Sequence, residues 1–126
     1  MAHRFPDHFL WGAAPSSHQV EGNSTNDWSK WEQANANQLA REAASKFGHL
    51  PHWQERFGAE AARPENYLSG IAVDHFRRYE EDFDLAQSLN HTAHRFSIEW
   101  SRIEPQENKW DEEAIAHYQK VVRALR

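Results

Sequence analysis

Two short stretches hold the residues whose types and spacing suit chemistry. In "FLWGAAPSSHQVEGN" (Phe9 to Asn23) an apolar run gives way within a few residues to hydroxyls, His18, Gln19 and Glu21. In "TAHRFSIEW" (Thr92 to Trp100), Arg95, Ser97 and Glu99 alternate with Phe96, Ile98 and Trp100. The Gln19 carboxamide both donates and accepts, which suits a ligand hydroxyl that does the same; a loop glutamine satisfying nearby backbone is the plainer account, and from the residues alone the favoured one. An arginine in a buried strand is costly unless paired, so Arg95 predicts a carboxylate within reach, with Glu99 or Asp82 available for an ordinary ion pair. His49 with His52, and His91 with His94, form two-histidine spacings without a third ligand, a weak metal signal in a chain with nine histidines. Trp28 and Trp31, one turn apart, would suit carbohydrate stacking, but aromatic residues so spaced are more often core. They are read as structural, with Trp11 and Trp100.

The elements that must position these residues follow from periodicity. Phe9 to Ala14 lacks helical spacing and is long enough for a strand buried on both faces, with Gly12 marking a close backbone approach. From Asp27, a plausible cap, to about Phe47 the residues favour helix, and Gly48 and Pro51 stop it. Residues 48 to 70 read as an irregular connection. A second helix, about Ile71 to Leu89, carries Phe76, Tyr79, Phe83, Ala86 and Leu89 at spacings of three and four. Period two from about Ala93 to Glu99 predicts a strand. Asp111 then caps a final helix, about 111 to 126, with a stripe of Ile115, Tyr118, Val122 and Leu125. Strands alternating with amphipathic helices imply parallel βαβ pairing, hence the α/β class. Two strands do not complete such a sheet, so further strands are expected from elsewhere.

Composition narrows the partners. The 126 residues carry a formal net charge of −5 with no basic block, which argues against nucleic acid and against an anionic membrane surface as partners. Cysteine is absent, excluding disulfides, a thiolate nucleophile and a cysteine zinc site; a cytoplasmic location is expected. The apolar run from Phe9 to Pro15 is too short to span a bilayer and follows Pro6 and Asp7, so it is read as part of the fold. Aromatic residues make up 13% of an otherwise polar chain, more rings than a small core accommodates, so part of the core is expected to lie outside these residues.

Four motifs in register carry a resemblance. "FPDHFLWGAAPSSHQVEG" (Phe5 to Gly22), "DWSKWE" (Asp27 to Glu32), "DHFRRYEEDFDLAQSLN" (Asp74 to Asn90) and "HRFSIEWSRIEP" (His94 to Pro105) resemble those of family 1 glycoside hydrolases, the β-glucosidases and related β-glycosidases. The resemblance implies a (β/α)8 TIM barrel of which residues 1 to 126 are the N-terminal part. Residues 9–14 and 93–99 would be its first two strands, 71–89 and 111–126 their helices, and 27–70 an inserted helix and loop. It implies a retaining enzyme that hydrolyses β-glucosides or related β-glycosides, using no cofactor and no metal. Barrel strands open at their C-terminal ends into the site, which accounts for the change from apolar to polar after Ala14. By resemblance Gln19 contacts hydroxyls of the bound sugar, His18 is a candidate beside it with packing equally good, and Arg95 neighbours the catalytic nucleophile. The family's two catalytic glutamates sit in "N-E-P" and "E-N-G" motifs, and neither occurs here, so no catalytic residue is expected in this chain and the 126 residues alone are expected to be inactive. Glu21 is read as ordering its loop, Glu104 as surface and Glu99 as structural. Two alternatives stay open: a subunit of a split barrel whose remainder is a separate chain, and a non-catalytic sugar-binding or interaction module. Pro15 departs from the family pattern, and the connection from Asn35 to Leu68 is long.

Overall fold

The computed structural model describes residues 4–125. Two short strands, β1 (Gly12–Ala13) and β2 (Ala93–His94), pair in parallel with Gly12 opposite Ala93 and Ala13 opposite His94. Between them run α1 (Ser17–Val20), α2 (Asp27–Phe47), α3 (Trp53–Ala61), a 3-10 turn (Pro64–Tyr67) and α4 (His75–Ser88). After β2 come α5 (Trp100–Ile103) and α6 (Glu112–Ala124). The result is a helix-rich α/β chain whose sheet is one parallel crossover.

Both strands are shorter than residues 9–14 and 93–99. Each has a single neighbour, and the ladder ends where the partner ends. Thr92 and Ala93 donate to the Trp11 carbonyl at 2.7 and 3.0 Å, and Arg95 to the Ala13 carbonyl at 2.9 Å. Farther along, the Ser97 hydroxyl accepts the Ser17 N–H of α1, and the Glu99 N–H donates to the Tyr118 hydroxyl on α6. β1 is also exposed rather than buried on both faces, because nothing among the described residues covers it. Gly12 does mark a close approach: a Cβ there would overlap the Ala93 carbonyl oxygen.

The inserted region is more ordered than an irregular connection. Asn26, not Asp27, caps α2: its Oδ1 accepts the Ser29 N–H at 2.8 Å while the Ser29 hydroxyl oxygen accepts the Asn26 N–H at 3.0 Å. The inner face of α2 is small, with Ala36, Ala40 and Ala43 buried, so the 3-10 turn and α3 lie close against it and Trp53 is buried there. α4 begins at His75 rather than Ile71, because Ala72 and Asp74 adopt φ of 50° and 55°, outside helical space. Asp111 caps α6 through its Oδ1, 2.9 Å from the Ala114 N–H. Arg126, the last residue of the expected helix, lies outside the described residues.

The core gathers Phe83, Ile103, Ala114, Tyr118 and Val121 from α4, α5 and α6. Trp11, Trp28, Trp31 and Trp100 are not part of it: they are 47%, 59%, 46% and 57% exposed. They meet other rings near the surface instead: Trp11 meets Phe5 and Phe9, Trp100 meets Trp110, and Trp28 and Trp31 stack on each other with ring centres 5.3 Å apart. Leu10, Leu85 and Leu89 are exposed as well, so much of the apolar pattern faces outward. Among the described residues no helix is long and apolar enough to cross a membrane.

Candidate functional site

Parallel pairing puts the C-terminal ends of β1 and β2 at the same end of the sheet, and Gln19 and Arg95 both follow those ends. Gln19 lies on α1 and is exposed; the Ser16 hydroxyl donates to its Oε1 at 2.9 Å, which leaves the amide hydrogens free to face outward. Arg95 is also exposed, and its guanidinium donates to the Pro15 carbonyl at 3.3 Å. The two segments are thus tied together at the strand ends, by Arg95 to Ala13 through backbone and to Pro15 through its side chain.

Neither expected ion-pair partner of Arg95 takes that role. The Glu99 carboxylate accepts from Ser17, Asn26 and Ser101, and Asp82 lies 2.6 Å from His75 Nδ1. The premise of a buried strand arginine fails because the strand has ended and the side chain is in solvent.

Beneath Gln19 the polar groups are buried and closely bonded. Ser17 donates its N–H to the Ser97 hydroxyl at 2.7 Å and its own hydroxyl to Glu99 Oε2 at 3.3 Å. Glu21, only 4% exposed, accepts the Tyr118 hydroxyl at 2.8 and 2.9 Å and the Arg102 Nε–H at 3.1 Å. Arg102 also donates to the Gly22 carbonyl and lies over the Phe76 ring, 4.1 Å from its centre. Burial drives the Glu21 carboxyl above its ordinary range even against Tyr118 and Arg102. Burial, reinforced by the bond to Glu21, raises the Tyr118 hydroxyl strongly, so it stays a donor at neutral pH.

A second cluster joins α1 to the inserted region. His18 Nε2 lies 2.9 Å from Glu32 Oε1 and 3.0 Å from the Ser69 hydroxyl, which itself donates to Glu32 Oε1 at 2.7 Å. Ser69 N–H donates to the other Glu32 oxygen at 2.8 Å. Burial pushes the Glu32 carboxyl up, but the bonds from Ser69 and His18 outweigh it and hold it below the ordinary range. Serine, histidine and glutamate together suggest a nucleophilic triad, and the geometry excludes one: serine and carboxylate share the same ring nitrogen, whereas a triad needs them on opposite nitrogens. The cluster is a clasp. It borders a cleft of about 300 Å³ lined by His18, Ser29, Glu32, Gln33 and Ser69, which leaves His18 half-buried beside Gln19. Among the described residues no group of three or more histidine or acidic side chains is arranged to hold a metal.

Sequence reasoning singled out Gln19, His18 and Arg95 but missed Tyr118, Arg102, Asn26, Glu32 and Ser69, which fix the segment carrying Gln19. Only Asn26 had a local signal, a capping side chain three residues before Ser29.

A parallel crossover whose polar side chains collect past the C-terminal strand ends belongs to the α/β class, whose members build their sites at those ends. The sequence pattern described as glycosyl hydrolase family 1 matches residues 1–126, and the chain belongs to that family. It is 34% identical over 123 residues to beta-glucosidase 42 of Arabidopsis thaliana, covering 96% of this chain and 21% of that one. Its fold resembles a beta-glycosidase from Pyrococcus horikoshii with a TM-score of 0.69 and 38% identity, covering 99% of this chain and 23% of that one. It also resembles a beta-glucosidase from Thermotoga maritima solved in complex with a methoxycarbonyl-substituted glucoimidazole, with a TM-score of 0.68, 25% identity and coverage of 96% and 24%. The chain therefore spans about a fifth to a quarter of the length of the relatives it matches.

Proposed function

We propose that these residues supply the first two β/α units of a (β/α)8 barrel that hydrolyses β-glucosides or related β-glycosides with retention. Gln19 hydrogen-bonds hydroxyls of the bound sugar, and Arg95 turns from the Pro15 carbonyl to the nucleophile's carboxylate once the remaining strands stand beside β1 and β2. His18 holds the segment and borders the entrance.

Retaining hydrolysis needs two carboxyl groups about 5–5.5 Å apart, one to form the covalent glycosyl intermediate and one to protonate the leaving oxygen and later deprotonate water. The buried carboxylates here do not serve: Glu21 and Glu99 are saturated by Tyr118, Arg102, Ser17, Asn26 and Ser101 and point inward. Both chemical roles fall to the remainder of the barrel, and the 126 residues alone turn nothing over.

The observation that carries this reading is the placement of Gln19 and Arg95 past the same end of one parallel strand pair, in a chain of glycosyl hydrolase family 1. The exposed Trp11, Leu10, Leu85 and Leu89 support completion by further strands and helices. The test is an aryl β-glucoside assay of the chain alone and of the chain co-expressed with strands three to eight of a family barrel. Activity only in the pair, lost about 10- to 100-fold in kcat/KM with Gln19→Ala, is the expected result. Activity of the chain alone, or an active pair indifferent to Gln19, overturns it.

A further inference from the structure

The Asn26 carboxamide faces three groups at once. Its Oδ1 accepts the Ser29 N–H at 2.8 Å, its Nδ2 donates to Glu99 Oε2 at 2.9 Å, and the same nitrogen lies 3.3 Å from His18 Nδ1. The first two contacts fix which end of the amide is oxygen, since a backbone N–H only donates and a carboxylate oxygen only accepts. The nitrogen therefore faces the imidazole, and His18 Nδ1 must accept. The ring proton belongs on Nε2, where Glu32 Oε1 waits at 2.9 Å and the Ser69 oxygen at 3.0 Å. The Ser69 hydroxyl gives its own hydrogen to Glu32, so every donor finds an acceptor under one protonation pattern.

We infer that Asn26 is a positioning residue that locks His18 as the neutral Nε2–H tautomer and thereby fixes the segment carrying Gln19. A helix of four residues has almost no stability of its own, so its orientation is set by what holds it. Glu99 holds Ser17, Asn26 holds both Glu99 and His18, and Glu32 holds the far side of the ring; Gln19 is the next residue. One carboxamide thus joins the start of α2, the chain after β2 and α1. The ionisable groups facing His18 are Glu32 from α2 and, across Asn26, Glu99; Trp28 stands edge-on at 6.4 Å. The consequence for sugar binding rests on the reading of Gln19 above, but the lock itself does not.

The test separates the lock from the helix cap. Asn26→Asp keeps a capping oxygen, since aspartate caps as well as asparagine, but it cannot donate and sets a carboxylate against Glu99 and His18 Nδ1. Nitrogen-15 NMR of the imidazoles at neutral pH should show, in the parent chain, one bare His18 Nδ1 and a protonated Nε2. In Asn26→Asp both nitrogens should be protonated, the amides of Ser17 to Gln19 should exchange about tenfold faster or more, and helix content by circular dichroism should hold. Asn26→Ser, a cap without added charge, should give the faster exchange with mixed tautomers and no second proton. A parent His18 with its proton on Nδ1 or averaged between nitrogens overturns the proposal. So do variants that leave the imidazole signals and the exchange unchanged, or that lose α2 outright in both cases. No sugar enters these readouts, so failure of glycoside turnover would bear on the proposed function alone.

Discussion

The Tyr118 hydroxyl donates to both carboxylate oxygens of Glu21, at 2.8 and 2.9 Å, while accepting the Glu99 N–H at 3.1 Å. One phenol from α6 thus satisfies the residue that closes α1 and the residue that opens α5, joining the two post-strand segments through the last helix.

Removing that hydroxyl strands two buried groups. Tyr118→Phe leaves the Glu99 N–H without an acceptor and takes a donor from a carboxylate that burial already disfavours. A loss of about 1–3 kcal/mol is expected, read as a lower urea midpoint with unchanged slope. The pH dependence has a definite sign. Because the folded Glu21 binds its proton more tightly than the unfolded chain does, its contribution falls as pH rises from the ordinary carboxylate value through the raised folded one. Tyr118→Phe pushes that carboxyl higher still, so the fall should be steeper in the variant.

Glu32 has the opposite sign. Its folded carboxyl is held below the ordinary range, so it stabilises above the unfolded value, and that stability is lost as pH falls through the folded one. Glu32→Gln is expected to be less stable than the parent at pH 7, with the difference shrinking steadily as pH falls below the ordinary carboxylate value. Denaturant midpoints at pH 7 and pH 3 check this; an equal difference at both would show that His18 and Ser69 do not sense the charge.

Gly12→Ala tests the strand pair directly. The added methyl would overlap the Ala93 carbonyl oxygen, which belongs to backbone and cannot swing aside. A cost of about 1–3 kcal/mol is expected, with faster exchange of the Thr92, Ala93 and Arg95 amides that donate to the Trp11 and Ala13 carbonyls.

How much of this was legible in the sequence depends on range. Period-two and period-3.6 patterns are local, so the parallel crossover and the helices α2, α4 and α6 could be read with shifted ends. The strand lengths could not, because a strand ends where its neighbour does, and the neighbours of β1 and β2 are set by pairing across some eighty residues. The one-turn spacing of Trp28 and Trp31 favours a structural role, which says that a ring will seek a partner but not that one lies within these residues. Gln19, His18 and Arg95 stood out by motif. Their supports, Tyr118, Arg102 and Ser69, come from distant elements and have no local signature.

His94 provides the last test, because both of its ring nitrogens are buried without a partner among the described residues. Its ring lies 5.2 Å from Phe83 and 6.3 Å from Phe96, and among the described residues neither ring nitrogen has a hydrogen-bond partner. Burial, with His75 and His91 nearby, lowers its affinity for a proton below the ordinary value of about 6.5. The unfolded chain therefore takes up a proton that the folded one refuses, and stability falls as pH drops from about 6.5 toward the lowered folded value. His94→Phe keeps an aromatic ring against Phe83 and removes the titration. The variant is expected to equal or exceed the parent at pH 7 and to gain on it as pH falls to 5, since the phenyl ring has no nitrogen to strand in either state. Thermal midpoints across pH 5 to 7 measure the divergence; parallel curves would mean that the His94 ring nitrogens, buried here, meet water in solution.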